Sequence, residues 1–129
     1  EAQGLMATYP DLKAIIAPTT VGILAVCQAV TDAGKIGEIN VTGSDLPSEM
    51  AGCVDSGATK SFAIWNPIDL GYAATTLAYN IHKGASTDAG SSVPMGRLGS
   101  ATLNETGTAA MSDPFTYDSS NVDDFKSIF

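Results

Sequence analysis

The sequence predicts an α/β fold in which a Rossmann-like parallel sheet is flanked by helices. Between residues 12 and 84, the same order of elements occurs three times: a short apolar run, a polar turn, and a segment whose apolar residues have helical spacing. The apolar runs are continuous rather than alternating, which is typical of parallel strands buried on both faces. Short connections between such strands and helices favour right-handed crossovers within one sheet.

The first strand is predicted at residues 12–17 and ends at Pro18. A threonine hydroxyl can accept a hydrogen bond from a backbone N–H of the first helical turn, so both Thr19 and Thr20 are suitable caps for the next helix. That helix is predicted at residues 21–33, directly before a glycine that can end it. These residues form the first complete strand–helix unit.

Two further units follow the first one. The second strand is predicted at residues 39–42, and a short helix begins near Pro47, a residue suited to a first helical turn. The third strand is predicted at residues 61–65 and the third helix at residues 68–83. The helical spacing of the apolar residues in this third helix predicts six buried positions. These positions are Leu70, Ala73, Ala74, Leu77, Ala78 and Ile81.

The ends of the chain have a different pattern. Residues 2–9 resemble the last turns of a helix with no strand before it, so we expect a truncated sheet with at least one strand upstream. Residues 85–93 are rich in Ser, Gly and Asp and predict a loop. Residues 97–103 and 108–111, joined by a turn, predict a hairpin. A short helix closes the chain, with Asn121 as its cap and Val122, Phe125 and Phe129 as apolar positions.

Composition and charge exclude several classes of protein. The 129 residues correspond to one domain, and the net charge is -8 with only six Lys plus Arg. Nucleic-acid binding needs clustered cations, which this chain lacks, and anionic membrane surfaces are disfavoured for the same reason. No apolar run approaches the ~20 residues that span a bilayer, so we expect no membrane insertion.

The two cysteines do not form a recognisable redox or metal motif. Cys27 and Cys53 are outside any CxxC motif or Cys/His cluster, and each lies in an apolar helical context. This context predicts two buried free thiols. A disulfide between them is an alternative that the spacing leaves open.

Polar side chains follow each of the three predicted strands. In open α/β sheets, ligands bind outside the carboxyl ends of the strands. Hydroxyl, carboxylate and amide groups there, together with an indole, suit a monosaccharide, whose C–H face stacks on aromatic rings and whose hydroxyls pair with polar groups. The candidate ligand-binding residues are Pro18, Thr19, Thr20, Ser44, Asp45, Trp65 and Asn66.

Several of these residues also have a purely structural interpretation. Trp65 could fill the core rather than face a cleft, and Asn66 could cap the third helix, with or without a role in binding. Thr20 could cap the first predicted helix while Thr19 reaches the ligand. Asp45 could cap the short second helix.

An enzymatic function is not supported by the sequence. The single histidine, His82, lies near a helix C-terminus, where it interacts favourably with the helix dipole. There is no Ser-His-Asp arrangement, no metal-binding cluster and no phosphate-binding glycine loop. We therefore expect a binding protein without catalytic residues, metal or cofactor, and a small α/β reductase is disfavoured.

Five segments resemble one family of proteins. Residues 1–5, 15–20 (with Ala-Pro-Thr), 41–50, 62–67 (with Trp-Asn-Pro) and the tail 113–123 are similar to the rhamnose-binding branch of the type I periplasmic sugar-binding proteins, relatives of the autoinducer-2-binding proteins. The resemblance covers nearly the whole chain. It is most specific at the Ala-Pro-Thr and Trp-Asn-Pro motifs.

This resemblance implies a two-lobe protein that holds a sugar between its lobes and delivers it to an ABC transporter permease from the periplasm. Residues 1–129 would be the C-terminal lobe, with strand–helix repeats at 12–84 and a loop, hairpin and tail at 85–129, and the N-terminal lobe would be missing from this chain. The autoinducer-2 relatives imply ligand contacts at Pro18 and Thr20, and the ribose-binding relatives imply contacts at Ser44 and Asn66.

Two points qualify the expected function. Ribose binders have an aspartate where Ser44 aligns here, and Asp45 could replace it only if the turn shifts by one residue. The same two-lobe fold also serves as the effector-binding domain of sugar-responsive transcriptional regulators. The net charge and the absence of a helix-turn-helix segment favour transport, and a secretion signal in the full gene would distinguish the two functions from each other.

Overall fold

The computed structural model describes residues 1–128, which form two compact units. The first unit contains Glu1–Ile64 and the C-terminal segment from Thr116, and the second contains Trp65–Phe115. The apolar position predicted at Phe129 lies outside the described residues. The elements are α1 (Ala2–Thr8), β1 (Ala14–Ala17), α2 (Thr20–Asp32), β2 (Asn40–Gly43), α3 (Pro47–Asp55), β3 (Ser61–Ile64), α4 (Pro67–His82), β4 (Ser92–Pro94), a 3-10 helix (Gly96–Leu98), β5 (Ser100–Thr102), β6 (Phe115–Asp118) and α5 (Val122–Phe125).

The first unit confirms the predicted α/β fold with a parallel sheet. Strands β1 and β2 pair in parallel, with Ala14 opposite Asn40 and Ala17 opposite Gly43. The start of β3 approaches β2 through the Thr42 hydroxyl, which donates to the carbonyl oxygen of Ser61 at 2.8 Å. Strand β3 itself is hydrogen-bonded to β6. The strand–helix alternation therefore folds as the sequence predicts, with shorter first and third strands.

The core of the first unit lies between this sheet and its helices. Its largest members are fully buried side chains from different elements, including Ile23 of α2, Val41 of β2 and Met50 of α3. Phe62 of β3 stacks on Tyr117 of β6 with 5.3 Å between ring centroids. Burial raises the pKa of the Tyr117 hydroxyl. Apolar residues of distant segments thus hold β6 and the C-terminal segment against the strand–helix repeats.

The two cysteines form a disulfide, so the prediction of free thiols is wrong. Cys27 of α2 and Cys53 of α3 are bonded to each other, with a Cα–Cα distance of 6.3 Å. The physical reason is the parallel pairing of β1 and β2, which returns the two following helices to neighbouring positions. Neither helix alone contains this information, since the bond depends on how the helices pack.

The segment between β6 and α5 is organised by side-chain hydrogen bonds. Asn121 precedes α5 as predicted, but it makes no capping bond to the helix. Its amide group instead accepts from Asp118 N and donates to the Thr116 carbonyl. The hydroxyl and backbone N–H of Ser120 donate to the Asp118 carboxylate and hold the pKa of that carboxyl below its usual value. These bonds close a tight turn before the last helix.

The second unit contains a hairpin, but not the predicted one. Strands β4 and β5 are antiparallel, with Ser92 opposite Thr102, and the connection between them contains the 3-10 helix. The strand predicted at 97–103 contains β5, but no strand forms at 108–111, so the predicted pairing of these two segments is wrong. The Asn104 side chain accepts from the backbone N–H groups of Thr106 and Thr108, which closes a local turn that does not start a strand.

Helix α4 is much less buried than its pattern predicts. Of its six predicted positions only Ala73 is buried, whereas Leu77 is half-buried and the others are exposed. Within the second unit, Ala73 packs with Met95 and Ala101 of the hairpin region. Two three-residue strands are too small to cover the whole apolar face of a helix of 16 residues.

The disulfide is expected to stabilise the fold. Replacing Cys27 and Cys53 together by alanine should lower the free energy of unfolding by about 3 kcal/mol, because the bond closes a loop with a sequence separation of 26 residues. Urea unfolding measures this difference. Reduction of the wild-type protein with dithiothreitol should cause a similar loss, and an unchanged unfolding curve after reduction would contradict the prediction.

Gly43 is expected to tolerate no side chain. Its φ is +154°, and an added Cβ would lie 1.9 Å from the carbonyl oxygen of Ala17. We expect Gly43→Ala to lower the free energy of unfolding by at least about 3 kcal/mol, because backbone on the paired strand must move.

The matched control for this substitution is Gly52→Ala in α3, where a Cβ would meet no atom within 4 Å. Because alanine is favoured over glycine within helices, this change should raise the free energy of unfolding by about 0.5–1 kcal/mol. Similar effects of the two substitutions in urea unfolding would argue against the role of Gly43.

Candidate functional site

Two loops of the first unit leave the sheet side by side. The register places Ala17 opposite Gly43, so that Pro18 and Ser44 are the first residues beyond two paired strand ends. The Ser44 N–H donates to the Ala17 carbonyl oxygen at 3.3 Å. This carboxyl edge of the parallel pair is the position at which open α/β sheets bind ligands.

The two threonines of the first loop exchange the roles that the sequence analysis offers, in which Thr20 caps the helix and Thr19 reaches the ligand. Thr19 is the cap of α2, because its hydroxyl oxygen accepts from the Gly22 N–H at 3.2 Å. A Cβ at position 22 would lie 2.6 Å from this oxygen, so that glycine leaves room for the cap. Thr20 is the first residue of the helix and is exposed. The assignment of the cap to Thr20 is therefore wrong, and the exposed Thr20 hydroxyl is available to a ligand.

Asp45 is a fully buried carboxylate at the same edge. One of its oxygens accepts from the Leu46 N–H at 2.7 Å, and the other has no hydrogen-bond partner among the described residues. Helix α3 starts after Leu46 without a side-chain cap, so the interpretation of Asp45 as its cap is wrong. A buried polar oxygen without a hydrogen-bond partner is costly, and the second oxygen of Asp45 is such an atom. Ser44 beside it is half-buried.

Trp65 and Asn66 begin the second unit. The Trp65 indole is 43% exposed, so the interpretation as core filler is wrong. Its Nε1–H donates to the Ser112 carbonyl oxygen at 2.7 Å, which holds the ring in one orientation. The Asn66 side-chain oxygen accepts from the N–H groups of Ile68 and Asp69 and caps α4. The amide nitrogen of Asn66 stays available for hydrogen bonds to a ligand.

A cavity lies beside the indole within the second unit. It has a volume of about 290 Å³ and is lined by Trp65, Leu70, Ala109, Ala110, Met111 and Ser112. The sequence analysis does not include residues 109–112 among the candidate site residues, and it assigns 109–111 to a hairpin strand. The signal available was the short apolar run Ala-Ala-Met directly after the turn at 104–107.

Among residues 1–128 there is no group of three or more His, Cys, Asp or Glu side chains placed to hold a metal ion. The same residues include no helix long and apolar enough to cross a membrane.

Comparison with known proteins identifies the family. Residues 1–86 match the family described as "Periplasmic binding protein domain". The D-allose-binding periplasmic protein of Escherichia coli is 30% identical over 82 residues, which cover 64% of this chain and 26% of that protein.

Solved structures of sugar-transport proteins have the same fold. A sugar ABC transporter protein from Actinomyces odontolyticus is 38% identical with a TM-score of 0.79, and the match covers 96% of this chain and 40% of that one. An ABC transporter solute-binding protein from Clostridium phytofermentas with bound L-rhamnose is 30% identical with a TM-score of 0.84. The match covers 99% of this chain and 44% of that one. LsrB from Clostridium saccharobutylicum, solved with AI-2, is 16% identical with a TM-score of 0.77 and is similar in fold.

Two facts follow from these matches. The chain spans less than half the length of the relatives it matches, so its fold is part of a larger one. The matched proteins are sugar-binding transport proteins rather than enzymes, as the sequence predicts. The chain belongs to the periplasmic binding protein domain family.

Proposed function

We propose that residues 1–129 are the C-terminal lobe of a two-lobe solute-binding protein of an ABC importer. This protein binds a monosaccharide, rhamnose or a similar sugar, in the periplasm. The observation that carries the proposal is the exposed indole of Trp65, fixed by its hydrogen bond to the Ser112 carbonyl directly after the third strand. Such a flat apolar platform beside polar groups is what the C–H face of a sugar ring requires.

Each unit by itself offers polar groups at a strand end. In the first unit, the hydroxyls of Thr20 and Ser44 are the candidate partners of sugar hydroxyls, beside Pro18 and the capping Thr19, whereas the carboxylate of Asp45 is fully buried. In the second unit, the amide nitrogen of Asn66 serves the same purpose, because its oxygen is already engaged by α4.

The relatives support the class of ligand. A structure that is 30% identical contains L-rhamnose, and a relative of the same identity is named for D-allose. In the proposed mechanism, an N-terminal lobe closes over the sugar by a hinge motion, and the closed form delivers the sugar to the permease.

The first prediction of this proposal concerns Trp65. We expect the whole protein to bind a monosaccharide, with L-rhamnose as the first sugar to test by isothermal titration calorimetry. Trp65→Ala should weaken binding at least about tenfold, because the stacking surface is lost. Tyr79→Ala is the matched control, since Tyr79 is an exposed aromatic residue on α4 outside the cavity lining. The absence of binding to every monosaccharide tested would overturn the proposed function.

Substitutions of Thr19 and Thr20 should have different effects on stability and on sugar binding. Thr19→Ala removes the cap of α2 and should lower the free energy of unfolding by about 1 kcal/mol. Thr20→Ala should leave stability nearly unchanged and weaken sugar binding by about fivefold, the effect of one lost hydrogen bond. Urea unfolding and calorimetric titration of both variants measure these effects. A stability loss confined to Thr20→Ala would show that the cap is assigned to the wrong residue.

A further inference from the structure

We propose that Met111 is a site of oxidative modification, and that its conversion to methionine sulfoxide loosens the hydrogen bond that fixes Trp65 and thereby weakens ligand binding. The effect on binding rests on the proposed function, whereas the reaction at Met111 and its effect on Trp65 do not. Both residues belong to the second unit.

Met111 is the most accessible of the four methionines. Met50 and Met95 are almost completely buried, with exposed fractions of 0% and 1%, and Met6 is 9% exposed. Met111 is half-buried and lines the cavity beside Trp65. An oxidant must reach the sulfur atom, so the methionine with the most accessible side chain reacts first. A small oxidant therefore reaches Met111 without any opening of the core.

The reaction needs a peroxide and no catalytic group of the protein. The thioether sulfur attacks one oxygen of hydrogen peroxide, the O–O bond breaks, and the hydroxide that leaves takes the proton of the new S–OH group to form water. The sulfur loses two electrons and the peroxide gains them. The product has a polar, chiral side chain in place of a flexible apolar one.

The surroundings of Met111 do not suit a sulfoxide. Its side chain packs against the buried cluster of Ala73, Met95 and Ala101. It also lines a cavity of about 130 Å³ between α4 and the hairpin region, whose lining is apolar throughout. The oxygen of a sulfoxide is a hydrogen-bond acceptor, and it is costly to bury without a donor. The segment that contains Met111 must therefore shift so that this oxygen reaches water.

Such a shift is transmitted to Trp65 through the next residue. Ser112 directly follows Met111, and its carbonyl oxygen accepts from the Trp65 Nε1–H at 2.7 Å. When this carbonyl moves, the indole loses the bond that holds it in one orientation. A ligand that stacks on the ring must then order it again, which costs conformational entropy on binding. Oxidation of Met111 therefore weakens binding even where the ligand does not touch the sulfur.

Peptide mapping after mild treatment of the whole protein with hydrogen peroxide tests the site. A Lys or Arg lies between each pair of successive methionines, so trypsin places the four in separate peptides for mass spectrometry. We expect Met111 to gain one oxygen atom at least about tenfold faster than the other three. Oxidation of Met6, Met50 or Met95 at the same rate as Met111 would overturn the assignment.

Fluorescence tests the link to Trp65, the only tryptophan of these 129 residues. A Trp65→Phe variant identifies its signal in the whole protein. We expect peroxide to shift this emission to longer wavelength, because a released indole contacts more water. Met111→Leu should abolish the shift, and Met6→Leu is the matched control that should keep it. The same shift in Met111→Leu as in the wild-type protein would disprove the link.

Calorimetric titration before and after peroxide treatment measures the effect on binding, with L-rhamnose as the first sugar. We expect the affinity of the wild-type protein and of Met6→Leu to fall about fivefold, the effect of one lost hydrogen bond. The affinity of Met111→Leu should be the same before and after treatment. Methionine sulfoxide reductase should restore the affinity of the oxidised protein.

The outcomes separate this inference from the proposed function. Unchanged affinity after complete oxidation of Met111 overturns the effect on binding and leaves sugar binding intact. If the untreated protein binds no sugar, the proposed function fails. The peptide map and the fluorescence of Trp65 then still decide whether Met111 is the modified residue and whether it controls the indole.

Discussion

The parallel pairing of β1 with β2 is the constraint on which the first unit depends. It ends at Ala17 and Gly43, where the strands approach so closely that a Cβ on Gly43 would lie 1.9 Å from the Ala17 carbonyl oxygen. Beyond this point the segments that follow both strands leave the sheet at the same edge, and the Ser44 N–H donates to the Ala17 carbonyl oxygen. The candidate polar groups of the first unit therefore lie together because the strands end together.

The disulfide follows from the same pairing. A strand that returns in parallel beside its predecessor brings its helix back beside the previous helix, which places Cys27 next to Cys53. The bond then ties together the two helices whose first turns follow the candidate ligand loops. The same covalent bond limits the conformations of the unfolded chain, which is the main way a disulfide stabilises a protein.

Asn66 serves the fold and leaves a second group for binding. Its side-chain oxygen caps α4 while its nitrogen stays available, whereas Asp45 is fully buried, with one oxygen on the Leu46 N–H and the other without a described partner. The sequence leaves capping and binding compatible for Asn66 and offers a cap as the structural interpretation of Asp45. In the structure, the cap belongs to Asn66 and to Thr19, and Asp45 is not a cap, because capping depends on the backbone angle at which each helix begins.

The sequence by itself determined the order of strands and helices in the first unit and the polar residues at the strand ends, because each of these depends on local spacing. Only the tertiary structure decided the disulfide, the correct strands of the hairpin, the exposure of α4 and the apolar cavity beside Trp65. The cavity joins Trp65 and Ser112 across 47 positions, and the disulfide joins residues 26 apart. Periodic patterns report contacts within a few residues, whereas these features arise from packing between distant segments.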